Sequence, residues 1–408
     1  MQVNKSAKHP LIGLASLATQ AFQGVDLAPV CEALIERIRI QPKDAAALMD
    51  MATIQFLSHQ PESAMQLQAS AIGLQTRYQL ASAPPEPNVR MLALLGAGGL
   101  MDNLPLEFLL EGSSIAMDMH YMQAGAAIAQ DLADYDLVFV AVGESDANTP
   151  LQQQLAQQLQ DCPVPVLNRP ALVMQTTRED AALVLADAAG VVMPVSVRLS
   201  RAQLRSLGCD EGGIASESLF QYLPGQDFPV IVRPVESHGG HGLARLNQPA
   251  DITAYLTEQQ EEMFYMSRFV NYASSDGQFR KYRVVLIEGE PFLCHLAISC
   301  HWIVHYLNAD MLGDAEKCAE EARCMADFDE VFGHRHRQAF AAIYAALPLQ
   351  YLIIDCAETD DGQLLVFEVD TSAIVHAMDP VSIFPYKQPQ MHKIFRAFQA
   401  MLARSISA

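Results

Sequence analysis

Three acidic residues fall within two otherwise apolar runs: Asp355 in the stretch 353–357 (IIDCA), and Glu368 and Asp370 in the stretch 364–370 (LLVFEVD). Residues two apart on a strand point to the same face, so Glu368 and Asp370 project together, and Asp355 faces them if the two runs pair. Three carboxylates on one interior face repel one another unless a hard cation sits among them. The flanking residues are apolar, so the expectation is a Mg²⁺ site rather than a solvated acidic face.

A second group lies upstream. The run Val230-Ile231-Val232-Arg233-Pro234 delivers a cation at the end of a strand, and the loop Ser237-His238-Gly239-Gly240-His241-Gly242 follows it. Three glycines within four residues let backbone N–H groups approach an anion closely. A third group joins the aromatic-rich segment Met263 to Tyr272 to Arg280-Lys281-Tyr282-Arg283. Cations on a strand near such a loop and a metal site would complete an anion pocket. Beyond them, His295, His301 and His305 share one short stretch with Trp302, the single tryptophan of the chain. Taken singly each histidine reads as structural; as a cluster they are candidate substrate contacts. No Ser-His-Asp or Cys-His constellation stands out, so no nucleophilic side chain is expected.

The elements that must position these residues divide the chain in three. Residues 1 to about 83 read as helix throughout, with apolar residues at helical spacing in Cys31-Leu34-Ile35-Ile38 and from Leu48 to Leu57. Ala45 to Leu80, rich in small residues, resembles one tetratricopeptide-type hairpin; a single such unit cannot bury its own face, so it reads as a cap rather than a peptide-binding array. The linker Ala83-Pro84-Pro85-Glu86-Pro87 ends the helical region, because stacked prolines cannot continue a helix. Strands over Val89–Leu95, Tyr135–Val142 and Val164–Leu167 then alternate with helices over Leu104–Glu111 and Thr149–Gln160, a βαβ rhythm that predicts a small parallel sheet. After about residue 190 the spacing predicts strands at Pro194–Arg198 and Val230–Arg233, and a hairpin turning at Ile287-Glu288-Gly289-Glu290. It also predicts helix over 314–347, and a pairing of Tyr351–Cys356 with Leu364–Val369.

Composition bounds the partners. The chain has 408 residues, 26 Lys+Arg and 47 Asp+Glu, a formal charge of −21. That much acid argues against a nucleic-acid partner and against docking on anionic lipid, while leaving room for a local basic pocket. No run reaches the roughly 18 apolar residues of a membrane span. The start of the chain lacks the long apolar core of a secretory leader. Eight scattered cysteines with no CxxC read as reduced thiols, hence a cytoplasmic protein.

In this order and spacing the three groups resemble the ATP-grasp superfamily, and more closely its glutathione-synthetase-like and RimK-type ligases, over roughly residues 89 to 400. The resemblance implies an α/β (α+β) ATP-grasp fold divided at 1–86 (helical, tetratricopeptide-like), 87–190 (pre-ATP-grasp domain) and 191–408 (two grasp subdomains). By resemblance Arg178 and Arg233 stand where phosphate-contacting lysines are usual. Ser237, His238, Gly239, Gly240 and Gly242 form the flexible phosphate loop, and Arg268, Phe269 and Val270 sit at the adenine-binding hinge. Arg283 matches the arginine beside the transferred phosphoryl group, and Asp355, Glu368 and Asp370 match the magnesium-binding Asp, Glu and Asn. The departures are arginine for both lysines, Asp370 for asparagine, and Ala297-Ile298-Ser299 where another arginine is common.

What the resemblance implies is ligation using ATP and Mg²⁺, with Mn²⁺ as the substitute ion. Arg283 and Arg233 would serve in catalysis, and His295, His301, His305 and Lys281 would contact substrate. A small-molecule or peptide carboxylate would be phosphorylated to an acyl phosphate and captured by an amine. Two other readings use the same fold: a small-molecule kinase, and a catalytically silent nucleotide-binding protein whose helical N-terminal region recruits a protein or peptide.

Overall fold

The computed structural model describes residues 9–128, 131–208, 218–225, 227–235, 237, 239–306 and 309–407. The chain forms two compact units, one of residues 1–174, 349–352 and 370–408, the other of residues 175–348 and 353–369.

The first unit begins with helices α1 (Leu14–Phe22), α2 (Ala28–Ile40), α3 (Ala45–Leu57) and α4 (Pro61–Leu74). Asp44 caps α3 by accepting from Ala47 N at 3.0 Å, and Pro61 opens α4, where its missing N–H costs nothing. Leu17, Leu34, Ala47 and Ile54 form the core shared by α1, α2 and α3. Helix does not run on to residue 83. Arg77–Gln79 is instead a strand, β1, with Tyr78 turned inward between two less buried neighbours, a period of two. It joins β2 (Val89–Leu95), β3 (Ile115–Tyr121), β4 (Leu137–Val140) and β5 (Val166–Leu167) in the order β1-β3-β2-β4-β5. The pairs β2/β3, β2/β4 and β4/β5 are parallel, as the βαβ rhythm predicts, and β1 runs antiparallel to β3. Strand β3 has no counterpart in the sequence reading, because Asp118 and His120 interrupt its apolar run. A long helix, Lys387–Ser405, seats Phe398 against Phe139 and Tyr351, at ring distances of 5.6 and 5.5 Å.

The second unit holds two sheets. Strands β7 (Ser196–Ser200), β8 (Val230–Pro234), β9 (Ala244–Leu246) and β10 (Met263–Arg268) make an antiparallel sheet in the order β7-β10-β8-β9. Strands β6 (Val191–Val192), β11 (Phe279–Ile287), β12 (Glu290–Ser299), β13 (Tyr351–Glu358) and β14 (Leu364–Asp370) form the other, in the order β12-β11-β13-β14-β6. The predicted hairpin turn is present: Glu288 and Gly289 take φ of 50° and 85°, the left-handed pair that matches strand twist. The helical span 314–347 is three helices, Ala315–Ala326, Phe332–Arg335 and Arg337–Ala346, with breaks at 327–331 and at His336.

Candidate anion-binding site

Lys281 and Arg283 lie two apart on β11, so one face of the strand carries both cations. The register shifts between Arg283 and Val284, a bulge of the kind that re-aims a side chain. Opposite them on the neighbouring strand β13 is Asp355, 1% exposed. Arg283 donates from Nε to Oδ1 at 2.7 Å and from Nη2 to Oδ2 at 3.0 Å, a bidentate fork, and Lys281 Nζ reaches Oδ2 at 2.7 Å. Burial alone would raise the Asp355 pKa, but Arg283 and Lys281 outweigh it and hold the carboxyl well below its usual range. Reciprocally, burial opposes the charge on Arg283, and Asp355 more than restores it.

Glu368, on β14 beside β13, is held by Arg178, the first residue of the helix Arg178–Val184. Thr177 fixes that helix start by accepting from Asp180 N at 3.0 Å. Arg178 donates through Nη1 to Phe367 O at 3.2 Å and through Nη2 to Glu368 Oε2. Burial pushes the Glu368 carboxyl up, while Arg178 first and then Lys281 and Arg233 bring it below the ordinary value.

Arg233 lies on β8 and ties down the loop that follows. Its Nε donates to Ser237 Oγ at 3.1 Å and its Nη2 to Ser237 O, while Ser237 Oγ donates to Pro234 O at 2.8 Å. Gly239, Gly240 and Gly242 all take positive φ, and a Cβ on Gly242 would lie 2.6 Å from Pro234 Cδ, so position 242 tolerates only glycine. Burial, then the neighbouring charge of Arg178, pulls Arg233 down to about 10. His238 lies outside the described residues.

The residues expected at the adenine hinge begin at the end of β10. Arg268 is exposed at its end, Phe269 N donates to Pro229 O at 3.0 Å, and Val270 is half-buried. The Phe269 ring lies under the Arg245 guanidinium at 4.2 Å and edge-on to Trp302 at 5.6 Å. Arg245 is absent from the sequence reading; a single cation three residues past the glycine loop was its only signal. Of the histidines, His295 pairs with Arg283 in register and stacks obliquely on Tyr306, 4.7 Å away. His305 is half-buried and faces Lys281, Arg283, Asp355 and Glu368; burial, then the two cations, lowers its pKa, so it is neutral at pH 7. His301 is exposed, its N–H donating to Ser299 Oγ at 3.1 Å. Asp370 Oδ1 accepts from Ser372 N at 2.7 Å and from Ser372 Oγ at 3.0 Å.

Four cations, Arg178, Arg233, Lys281 and Arg283, are thus gathered around two carboxylates, leaving two positive charges in excess in a chain whose formal charge is −21. Planar guanidinium forks beside a glycine loop suit a polyphosphate. A divalent metal fits the carboxylates less well as they stand. Both oxygens of Asp355 are occupied by Arg283 and Lys281, Oε2 of Glu368 is occupied by Arg178, and no metal-holding group of three His, Cys, Asp or Glu occurs among the described residues.

No family model matches the chain, and no curated protein does. Solved structures give looser likenesses. The D-alanine–D-alanine ligase of Bacillus anthracis complexed with ATP aligns at TM-score 0.42 and 13% identity, covering 78% of this chain and 98% of that one. The VanG D-Ala:D-Ser ligase of Enterococcus faecalis gives 0.45 and 14%, over 76% and 100%. A RimK domain ATP-grasp protein of Sphaerobacter thermophilus gives 0.42 and 16%, over 78% and 100%.

Proposed function

We propose that the second unit binds the phosphates of ATP, and that the protein is an ATP-grasp ligase joining a small-molecule or peptide carboxylate to an amine. The observation that carries this is the excess of two positive charges among Arg178, Arg233, Lys281 and Arg283, next to a loop whose glycine at 242 cannot be replaced without a clash. ATP supplies the γ-phosphoryl group. Arg178 and Arg233 neutralise phosphate oxygens as preorganised donors, which costs little reorganisation during the reaction. Because Arg233 also holds Ser237, a phosphate that draws on Arg233 changes the anchoring of the loop, coupling nucleotide binding to loop position. Arg283, buried and kept charged by Asp355, faces the negative charge that builds up as the carboxylate oxygen attacks the γ-phosphorus and ADP leaves. The amine nitrogen then attacks the acyl carbon, expelling phosphate and losing a proton. His305, which faces these cations and whose pKa burial and their charge lower, can accept one.

The test is a product balance. Incubation with ATP and pooled amino acids or short peptides should release ADP and inorganic phosphate in equal amounts, dependent on both a carboxylate and an amine. ADP with a phosphorylated product and no free phosphate would select the kinase reading, and no ADP with any pool would reject catalysis.

A further inference from the structure

The first unit carries a second polar site that ligation leaves without a role. A cavity of about 60 Å³ opens at the C-terminal ends of β2 and β3, where Leu95 and Tyr121 line it, and is closed by residues of α1 and α3. In parallel sheets this end of the strands is where ligands bind.

Two carboxylates line it: Asp50, 1% exposed in the middle of α3, and Glu107, 8% exposed. Asp50 accepts from Ile12 N at 3.0 Å and Gly13 N at 3.2 Å, and Glu107 Oε2 accepts from Ala15 N at 2.9 Å, so both lie at the start of α1. The end of a helix offers about half a positive charge, too little for two anions. No Lys, Arg or His lines the cavity. A third group points to a ligand independently of the acids. Tyr121, 8% exposed, lines the same space, and its hydroxyl has no hydrogen-bond partner among the described residues.

We propose that this cavity binds the ammonium head of a small alkyl amine, held by Asp50, Glu107 and the Tyr121 hydroxyl. An ammonium group presents three N–H donors, one for each of these oxygens. The remaining wall is largely apolar, with Leu14, Met49, Leu95 and Met117, which suits a short alkyl chain. A hard metal ion would instead need six or more oxygens, and the described residues contain no metal-holding group. Size sets the ligand: a cavity of about 150 Å³ takes a six-carbon ring, so one near 60 Å³ takes two or three heavy atoms. Burial pushes Asp50 up to about 6 and Glu107 up to about 7, a penalty that a bound cation relieves.

The probe is ethylammonium chloride, titrated calorimetrically into the full chain at pH 8 against sodium chloride of equal ionic strength. Three heavy atoms at the ceiling of ligand efficiency bring the dissociation constant near 1 mM at best, so the titration runs to about 50 mM. We expect saturable one-to-one binding, weakened about tenfold or more in Glu107→Gln, which still accepts from Ala15 N, and several-fold in Tyr121→Phe. Tetraethylammonium, too large and without N–H donors, should not bind. If Glu107→Gln does not fold, Tyr121→Phe, which removes one oxygen only, decides the matter. Absence of saturable binding in the wild type, or equal affinity in a folded variant, overturns the proposal. Neither result bears on ATP, which the same calorimeter measures separately.

Discussion

Asp355→Asn removes one negative charge from a site where two cations depend on it, at almost constant shape. Lys281 and Arg283 have side chains 17% and 19% exposed, so water does little to replace the lost carboxylate. Removing one partner of a buried ion pair typically costs about 3–5 kcal/mol. Here a single carboxylate serves both cations through three contacts of 2.7–3.0 Å, which puts the expected loss in the upper half of that range. Urea unfolding followed by far-ultraviolet circular dichroism measures it, with the slope checked for constancy. Lys281→Met provides the internal control. With one cation gone, Asp355→Asn should cost less, giving a coupling energy of about 1–3 kcal/mol. The folded pKa of Asp355 is depressed, so its contribution is present above the unfolded carboxyl value and is lost as pH falls through the folded value; the difference between wild type and variant should therefore shrink only in strong acid. A loss below about 1 kcal/mol at pH 7, with no coupling to Lys281, would refute the picture of a buried neutralising carboxylate.

Asp50 and Glu107 titrate with the opposite sign. Their folded pKa values, about 6 and about 7, lie above the unfolded ones, so the stability they confer is complete below pH 4 and is lost as pH rises to about 7. At about 1.4 kcal/mol per unit, Asp50→Asn or Glu107→Gln should remove roughly 3 kcal/mol of the fall in stability between pH 4 and pH 8, read from urea midpoints. Gly242→Ala puts a methyl against Pro234 at a φ of 64° and should destabilise by about 1–3 kcal/mol while weakening ATP binding, measured by thermal unfolding and calorimetry. Because Arg283, Lys281 and Arg178 occupy the carboxylates, Mg²⁺ alone should give no saturable heat at millimolar concentration, and Lys281→Met should improve its binding. Tight Mg²⁺ binding by the wild type would contradict those ion pairs.

What the sequence revealed and what it hid follow from the range of the forces involved. The βαβ rhythm and the hairpin at Glu288-Gly289 are local, set by period and by turn chemistry, and both are present. β1 is hidden because its strand character comes from a neighbour, Arg77–Gln79 being a strand by pairing with His120-Met119-Asp118, and β3 because Asp118 and His120 interrupt its apolar run. Around the site, residue types gave the cations and the carboxylates, but not their partners. Three acids on apolar strands suggested a shared metal, whereas Asp355 pairs with Lys281 and Arg283, and Glu368 with Arg178 from a helix 190 residues away in the chain. No spacing rule foretells a contact of that separation. Asp50 did leave a signal, a single acid inside the apolar run of α3, yet only the fold brings Glu107 and Tyr121 to the same cavity.

The most direct measurement is a calorimetric titration of ATP into the wild type and into Arg178→Met/Arg233→Met. Each arginine removed deletes charge-assisted hydrogen bonds worth about 1.5–3 kcal/mol, so the wild type should bind one ATP and the double variant should bind it at least about 100-fold more weakly. No binding by the wild type at millimolar ATP, or equal binding by the folded double variant, would contradict a triphosphate site at these cations.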